Sequence, residues 1–192
     1  MRKLVLVIAL VALAALLGCQ SKDAKPKAET VVGANAKTLS IPVAEFKDRF
    51  NEAAKRSGVK LRINNLPTVN NSFRVVFDNA LGLAGTLDKP GGNVVDLTAF
   101  FPWSDNEDAL KTSVVYLVGC SHALIELFSP GLTGEQKNGI LRELGMLGKR
   151  EGAEQRRNVK GEVFTRSVQR GHVKYTFRET LGTAVNFFVE PL

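Results

Sequence analysis

Between Val59 and Phe101 apolar and polar residues alternate in four short runs, and this pattern limits the fold more than any other feature of the chain. Val59, Leu61 and Ile63 share one side of the first run, with Lys60 and Arg62 on the other. Phe73, Val75 and Phe77 repeat the pattern, followed by Leu81, Leu83, Gly85 and Leu87, and then by Val95, Leu97, Ala99 and Phe101. A period of two places every second side chain on the same face of a strand, so each run has one buried and one wetted side. The connections are a polar turn from Asn64 to Asn71, a tight link near Asp78-Asn79 and the turn Lys89-Pro-Gly-Gly92. All are too short for the crossover that parallel strands need, so the runs read as an antiparallel meander. Gly82 and Gly85 in the third run mark a bulge or a close approach of another group.

Helical spacing brackets this meander. Val43, Phe46, Phe50 and Ala53 lie on one stripe between Pro42 and Ser57, with proline in the first turn and Gly58 as a left-handed terminator. Ser104-Asp-Asn-Glu107 has the form of a capping box, in which serine and glutamate satisfy each other's free amides. The helix it opens, to about Phe128, is apolar nearly all round and reads as the central buried element. Phe100-Phe101-Pro102-Trp103, just before it, is the densest aromatic patch and reads as closing the core beneath the sheet end. Thr133-Gly-Glu-Gln136 is a second capping box, before a helix with Ile140, Leu141, Leu144 and Leu147 inward. A charged loop from Lys149 to Asn158 then leads to three strands, about Val159 to Val168, His172 to Phe177 and Thr183 to Val189.

The expected fold class is therefore α+β, an antiparallel meander sheet with three helices packed on one face. The order also suits two α-plus-meander halves in one curved sheet, although no residue-level repeat is visible. The layout resembles helix-grip and TBP-like arrangements, a fold-level likeness that implies no function.

The N-terminus carries the chemistry. Arg2 and Lys3 precede fourteen apolar residues, Leu4 to Leu17, and then Gly18-Cys19. A spanning helix needs about 20 residues, so the segment fits a secretory leader better. Leu16-Leu17-Gly18-Cys19 resembles the lipobox of bacterial lipoproteins. The resemblance implies cleavage between Gly18 and Cys19, a diacylglyceryl group on the Cys19 thiol and acylation of the new amino group. Gln20, where an Asp would favour inner-membrane retention, implies the outer membrane, facing the periplasm. On this reading residues 1–18 are the signal peptide, 19–38 the lipidated cysteine and a flexible tether, and 39–192 one globular domain. The tether is polar and lysine-bearing, and nineteen such residues reach roughly 25 Å.

The formal charge of +7 falls to about +5 once Arg2 and Lys3 leave with the leader. From Arg142 to Arg178 ten basic residues stand against four acidic ones. Arg150, Arg156, Arg157 and Lys160 are the candidate contacts for a protein or anionic partner in the envelope. The secreted setting argues against nucleic acid despite a pI near 9.6.

Catalytic signals are sparse. Cys19 is consumed by lipid, so Cys120 has no disulfide partner within the chain and reads as a small buried hydrophobe. Cys120 and His122 are two apart on a helix and point to nearly opposite sides, and no third ligand is in view for a metal. His172 reads as a hairpin surface residue. No phosphate-cradling loop, nucleophile elbow or zinc helix motif occurs. The expectation is a non-catalytic envelope lipoprotein, with no cofactor beyond the lipid on Cys19, that binds a protein or an amphiphile. Two alternatives are a structural subunit of a secretion or appendage complex, and a hydrolase using Cys120 or His172.

Overall fold

The computed structural model describes residues 37–77, 80–148 and 161–192. Among these residues three helices and seven strands follow one another as α1 (Val43–Arg56), β1 (Thr68–Val69), β2 (Ser72–Val76), β3 (Gly82–Leu87), β4 (Val94–Pro102), α2 (Glu107–Phe128), α3 (Gly134–Glu143), β5 (Val163–Arg170), β6 (Val173–Thr180) and β7 (Ala184–Pro191). All seven strands form one antiparallel sheet in the order β1-β2-β3-β4-β7-β6-β5. Each meander thus finishes at the centre of the sheet, where β4 and β7 pair. The fold is α+β, as the alternation predicts.

One face of the sheet carries the core. Phe73, Gly85, Leu97, Val189, Tyr175 and Val168 are successive cross-strand partners, and all are buried. The helices cover this face. Phe46 of α1 meets the Phe73 ring at 5.1 Å between centroids, and Phe50 stacks on Phe77 at 6.3 Å. From α2, Ser129 at the C-terminus reaches the Tyr175 hydroxyl at 2.9 Å. Gly145, just beyond α3, lies under the Phe164 ring. Gly85 is small because the Phe73 ring fills the place of its side chain.

Four sequence expectations are corrected. The run Val59–Ile63 is not a strand, although Leu61 and Ile63 are buried as its alternation implies. Its backbone pairs instead with a side chain of α1: Asn51 Nδ2 donates to the Ile63 carbonyl at 3.0 Å, and the Ile63 amide donates to Asn51 Oδ1 at 2.8 Å. One carboxamide supplies both bonds a neighbouring strand would have made, so the segment stands off the sheet. The first strand is the two-residue β1, inside the stretch expected to be turn.

The second correction is the cap of α2. Asn106, not Ser104, accepts from the Ala109 amide at 3.0 Å, while Ser104 accepts from the Asn106 amide outside the helix. Third, α2 is not buried all round. Its C-terminal half is enclosed from Cys120 onward, but Val114, Val115 and Tyr116 are 39, 69 and 37 % exposed. Fourth, the aromatic patch divides: Phe101 is buried in the core, Phe100 lies on the opposite face of the sheet, and Trp103 lines a small apolar cleft of about 70 Å³ beneath the exposed half of α2. The capping box at Thr133 and Gln136 is present as expected, with bonds of 2.8 and 3.2 Å.

Candidate functional site

The residues expected to carry lipid and partner contacts, Gly18, Cys19, Arg150, Arg156, Arg157 and Lys160, lie outside the described residues. The thiol and imidazole groups are described. Cys120 is fully buried in α2, and desolvation pushes its thiol up to about 12. That is the reverse of an activated nucleophile, which needs a depressed pKa or a base within reach. His122 is half-buried, with Nε2 3.0 Å from Asn138 Oδ1 of α3. Burial lowers its pKa, the Asn138 hydrogen bond opposes this, and the Lys137 charge lowers it further. His172 sits exposed in the β5–β6 turn. The described residues contain no group of three or more His, Cys, Asp or Glu side chains placed to hold a metal.

Polar chemistry in the interior centres on Glu126, which sequence reasoning missed. This carboxylate is 7 % exposed and takes Arg56 Nε of α1 at 2.8 Å and Lys137 Nζ of α3 at 2.6 Å. It ties all three helices together. The signal available in the sequence was one acid inside the apolar run of α2, where a charge is tolerated only with partners.

None of the three described helices lies on the other face of the sheet. Its central rows are Arg74, Ala84, Thr98, Phe188, Thr176 and Ser167, and beside them Val76, Gly82, Phe100, Asn186, Arg178 and Thr165. Two arginines lie over two phenylalanines: Arg74 Cζ is 5.1 Å from the Phe100 ring centre, and Arg178 Cζ is 5.5 Å from that of Phe188. These stacks cover apolar rings with weakly hydrated cations, so a face that carries aromatic side chains still meets water. Phe100 lies flat over Gly82, where any side chain would collide with it.

At the β1 edge the sheet opens into a groove of about 530 Å³. The stand-off segment supplies one wall through Lys60, Arg62 and Asn64, and β2 supplies the other through Arg74 and Val76, with Tyr116 of α2 at the end. Among the described residues the lining carries three cations and no carboxylate. Comparison with known proteins finds no counterpart: no protein family, curated protein or solved structure matches this chain.

The two ends of the sheet differ. The described chain begins at the Val94 end of β4, where Leu39 donates to the Val94 carbonyl at 2.8 Å and Val94 donates to that of Ile41 at 2.9 Å. The Pro102 end, roughly 25 Å away at about 3.3 Å per residue, carries the exposed half of α2. Val163, the first residue of β5 after the basic segment, lies in the same cross-strand row as Pro102, through Thr180 and Ala184.

Proposed function

We propose that the chain is a lipid-anchored protein of the bacterial cell envelope, tethered through Cys19, that binds a partner without catalysing a reaction. The observation that carries this reading is the opposition of the two ends. The tether would join the domain at the Val94 end of the sheet, while the exposed Val114–Tyr116 stretch and the strand following the basic segment lie toward the Pro102 end. A domain so mounted presents its recognition end away from the bilayer. The Gly18-Cys19 ending supports the anchor, and acyl chains on that cysteine would hold the chain stably where a single chain would not.

The reading is tested in intact cells with two measurements. Cys19→Ala should move the protein out of the membrane fraction; retention through the Leu4–Leu17 segment would overturn the anchor. Photo-crosslinking side chains placed at Val115 and Val163 should give discrete adducts, and one at Pro90, in the turn at the other end, should not. Adducts from Pro90 alone, or from none of the three, would overturn the orientation.

A further inference from the structure

The groove at the β1 edge has features the general reading does not require. β1 pairs only with Ser72 and Phe73, so among the described residues no strand lies along the outer edge of β2 from Arg74 to Val76, opposite its pairing with β3. The direction of the backbone groups there follows from two bonds. Leu87 donates to the Asn71 carbonyl and Phe77 donates to the Leu81 carbonyl, so residues 71, 73, 75 and 77 turn their peptide groups toward β3. The alternate residues, Arg74 and Val76, turn theirs outward into the groove. An outward peptide group at a strand edge is a template for another extended chain.

Charge selects the chain that would fit. Lys60, Arg62 and Arg74 are exposed, and none has an ion-pair partner among the described residues. Of the two long stretches outside the described residues, 149–160 carries a net charge of +3 and the tether that leader cleavage would leave, 19–36, carries +1, so neither is an acidic segment that suits a cationic groove. The Asn51 pairing fixes the stand-off segment, so the groove wall is held in place rather than free to collapse onto β2.

We infer that this groove takes an extended acidic segment of another protein, which adds beside β2 at Arg74–Val76 while its carboxylates meet Lys60, Arg62 and Arg74. The inference rests on the binding role proposed above and names the partner's chemistry. Backbone pairing supplies direction, and the cations supply selectivity and association rate.

The test uses the full chain purified in detergent and a fluorescent octapeptide of alternating Thr and Glu. Binding is read by anisotropy, independently of anchoring or cell fractionation, so its failure is separate from failure of the tethered reading. Saturable binding is expected, weakened about tenfold or more in Lys60→Glu/Arg62→Glu. Arg142→Glu, a charge reversal on α3 away from the groove, should leave it unchanged. Two further peptides carry N-methyl groups on alternate amides, in one register or the other. At least one should lose about tenfold in affinity, because one register removes the donors facing β2, and peptide should slow exchange of the Val76 amide. Equal binding by both methylated peptides would show that the groove reads charge alone and would overturn the inference. So would displacement of the peptide by phosphatidylglycerol-doped micelles or by inorganic phosphate at constant ionic strength, since either makes the groove a phosphate site. Absence of binding by the unmodified peptide overturns it outright.

Discussion

Replacing Glu126 by Gln tests how the three helices are held. The amide keeps the size of the side chain and removes its charge. Arg56, whose side chain is 52 % exposed, can turn to water, so its share resembles a surface pair at about 0–1 kcal/mol. Lys137 is 8 % exposed at the side chain and cannot turn away. It would remain as an enclosed cation without counter-charge, a state that costs about 3–5 kcal/mol. Glu126→Gln should therefore destabilise by about 3–5 kcal/mol and Arg56→Ala by no more than about 1. Lys137→Met should fall between, because Glu126 keeps Arg56 and the methylenes stay packed. The Glu126→Gln/Lys137→Met double variant should be more stable than Glu126→Gln alone, since no enclosed charge is then stranded.

Urea unfolding followed through the single tryptophan, Trp103, reads these differences as shifts in midpoint at constant slope. Acid supplies an independent check. The Lys137 hydrogen bond lowers the Glu126 pKa below its usual 4.5; burial opposes this, and Arg56 assists it. Because the folded value is the lower one, the unfolded chain takes up the proton first as pH falls. The contribution is fully present above pH 4.5 and is lost as pH falls through the folded value. The stability gap between wild type and Glu126→Gln should accordingly close on acidification. A Glu126→Gln variant no weaker than Arg56→Ala, or a gap that widens in acid, would refute the reasoning.

Three further outcomes follow from the packing. Asn51→Ala leaves the Ile63 amide and carbonyl without partners and should cost about 1–3 kcal/mol, with faster amide exchange at Ile63; unchanged exchange would mean water replaces the carboxamide. Gly82→Ala sets a methyl group where the Phe100 ring lies and should cost about 1–3 kcal/mol, a loss that Phe100→Ala partly relieves in a double-mutant cycle. Cys120 should resist thiol reagents until urea unfolds the chain, and fast labelling without denaturant would show that α2 opens locally.

The sheet was legible in the sequence because six of its seven strands lie between a core and water, and a period of two records that difference. The same signal misled at Val59–Ile63. Alternation reports which side of an extended segment is buried, not what its backbone pairs with, and Asn51 supplies that pairing from a helix eight residues upstream of Val59. The exposed half of α2 was hidden for a related reason: an apolar run does not say which of its side chains the neighbouring elements cover. Ser104 and Asn106 are both competent caps, and the choice depends on where the first turn begins after Pro102, which tertiary packing decides. Glu126 had a sequence signal. The groove had none, because Lys60 and Arg62 meet Arg74 only through a loop that stays off the sheet.

Cations at a sheet edge have an ordinary explanation, since charge is a common guard against edge-to-edge association. The two roles of Lys60 and Arg62 separate by sign. A guard works with either charge, because like molecules repel whether both are positive or both negative. A recognition surface works only with positive charge. Lys60→Glu/Arg62→Glu should therefore leave the sedimentation behaviour of the chain unchanged while acidic peptide binds about tenfold or more weakly. Lys60→Ser/Arg62→Ser separates them from the other side. If the cations are a guard, this uncharged pair should self-associate with rising concentration; if they serve recognition, it should stay dispersed and bind peptide several-fold more weakly. The wall at Lys60–Asn64 already obstructs a second sheet from approaching β2 broadside, so dispersion is the expected result. Self-association of the serine pair, with peptide affinity intact, would assign these residues to edge protection and leave the groove without a role in recognition.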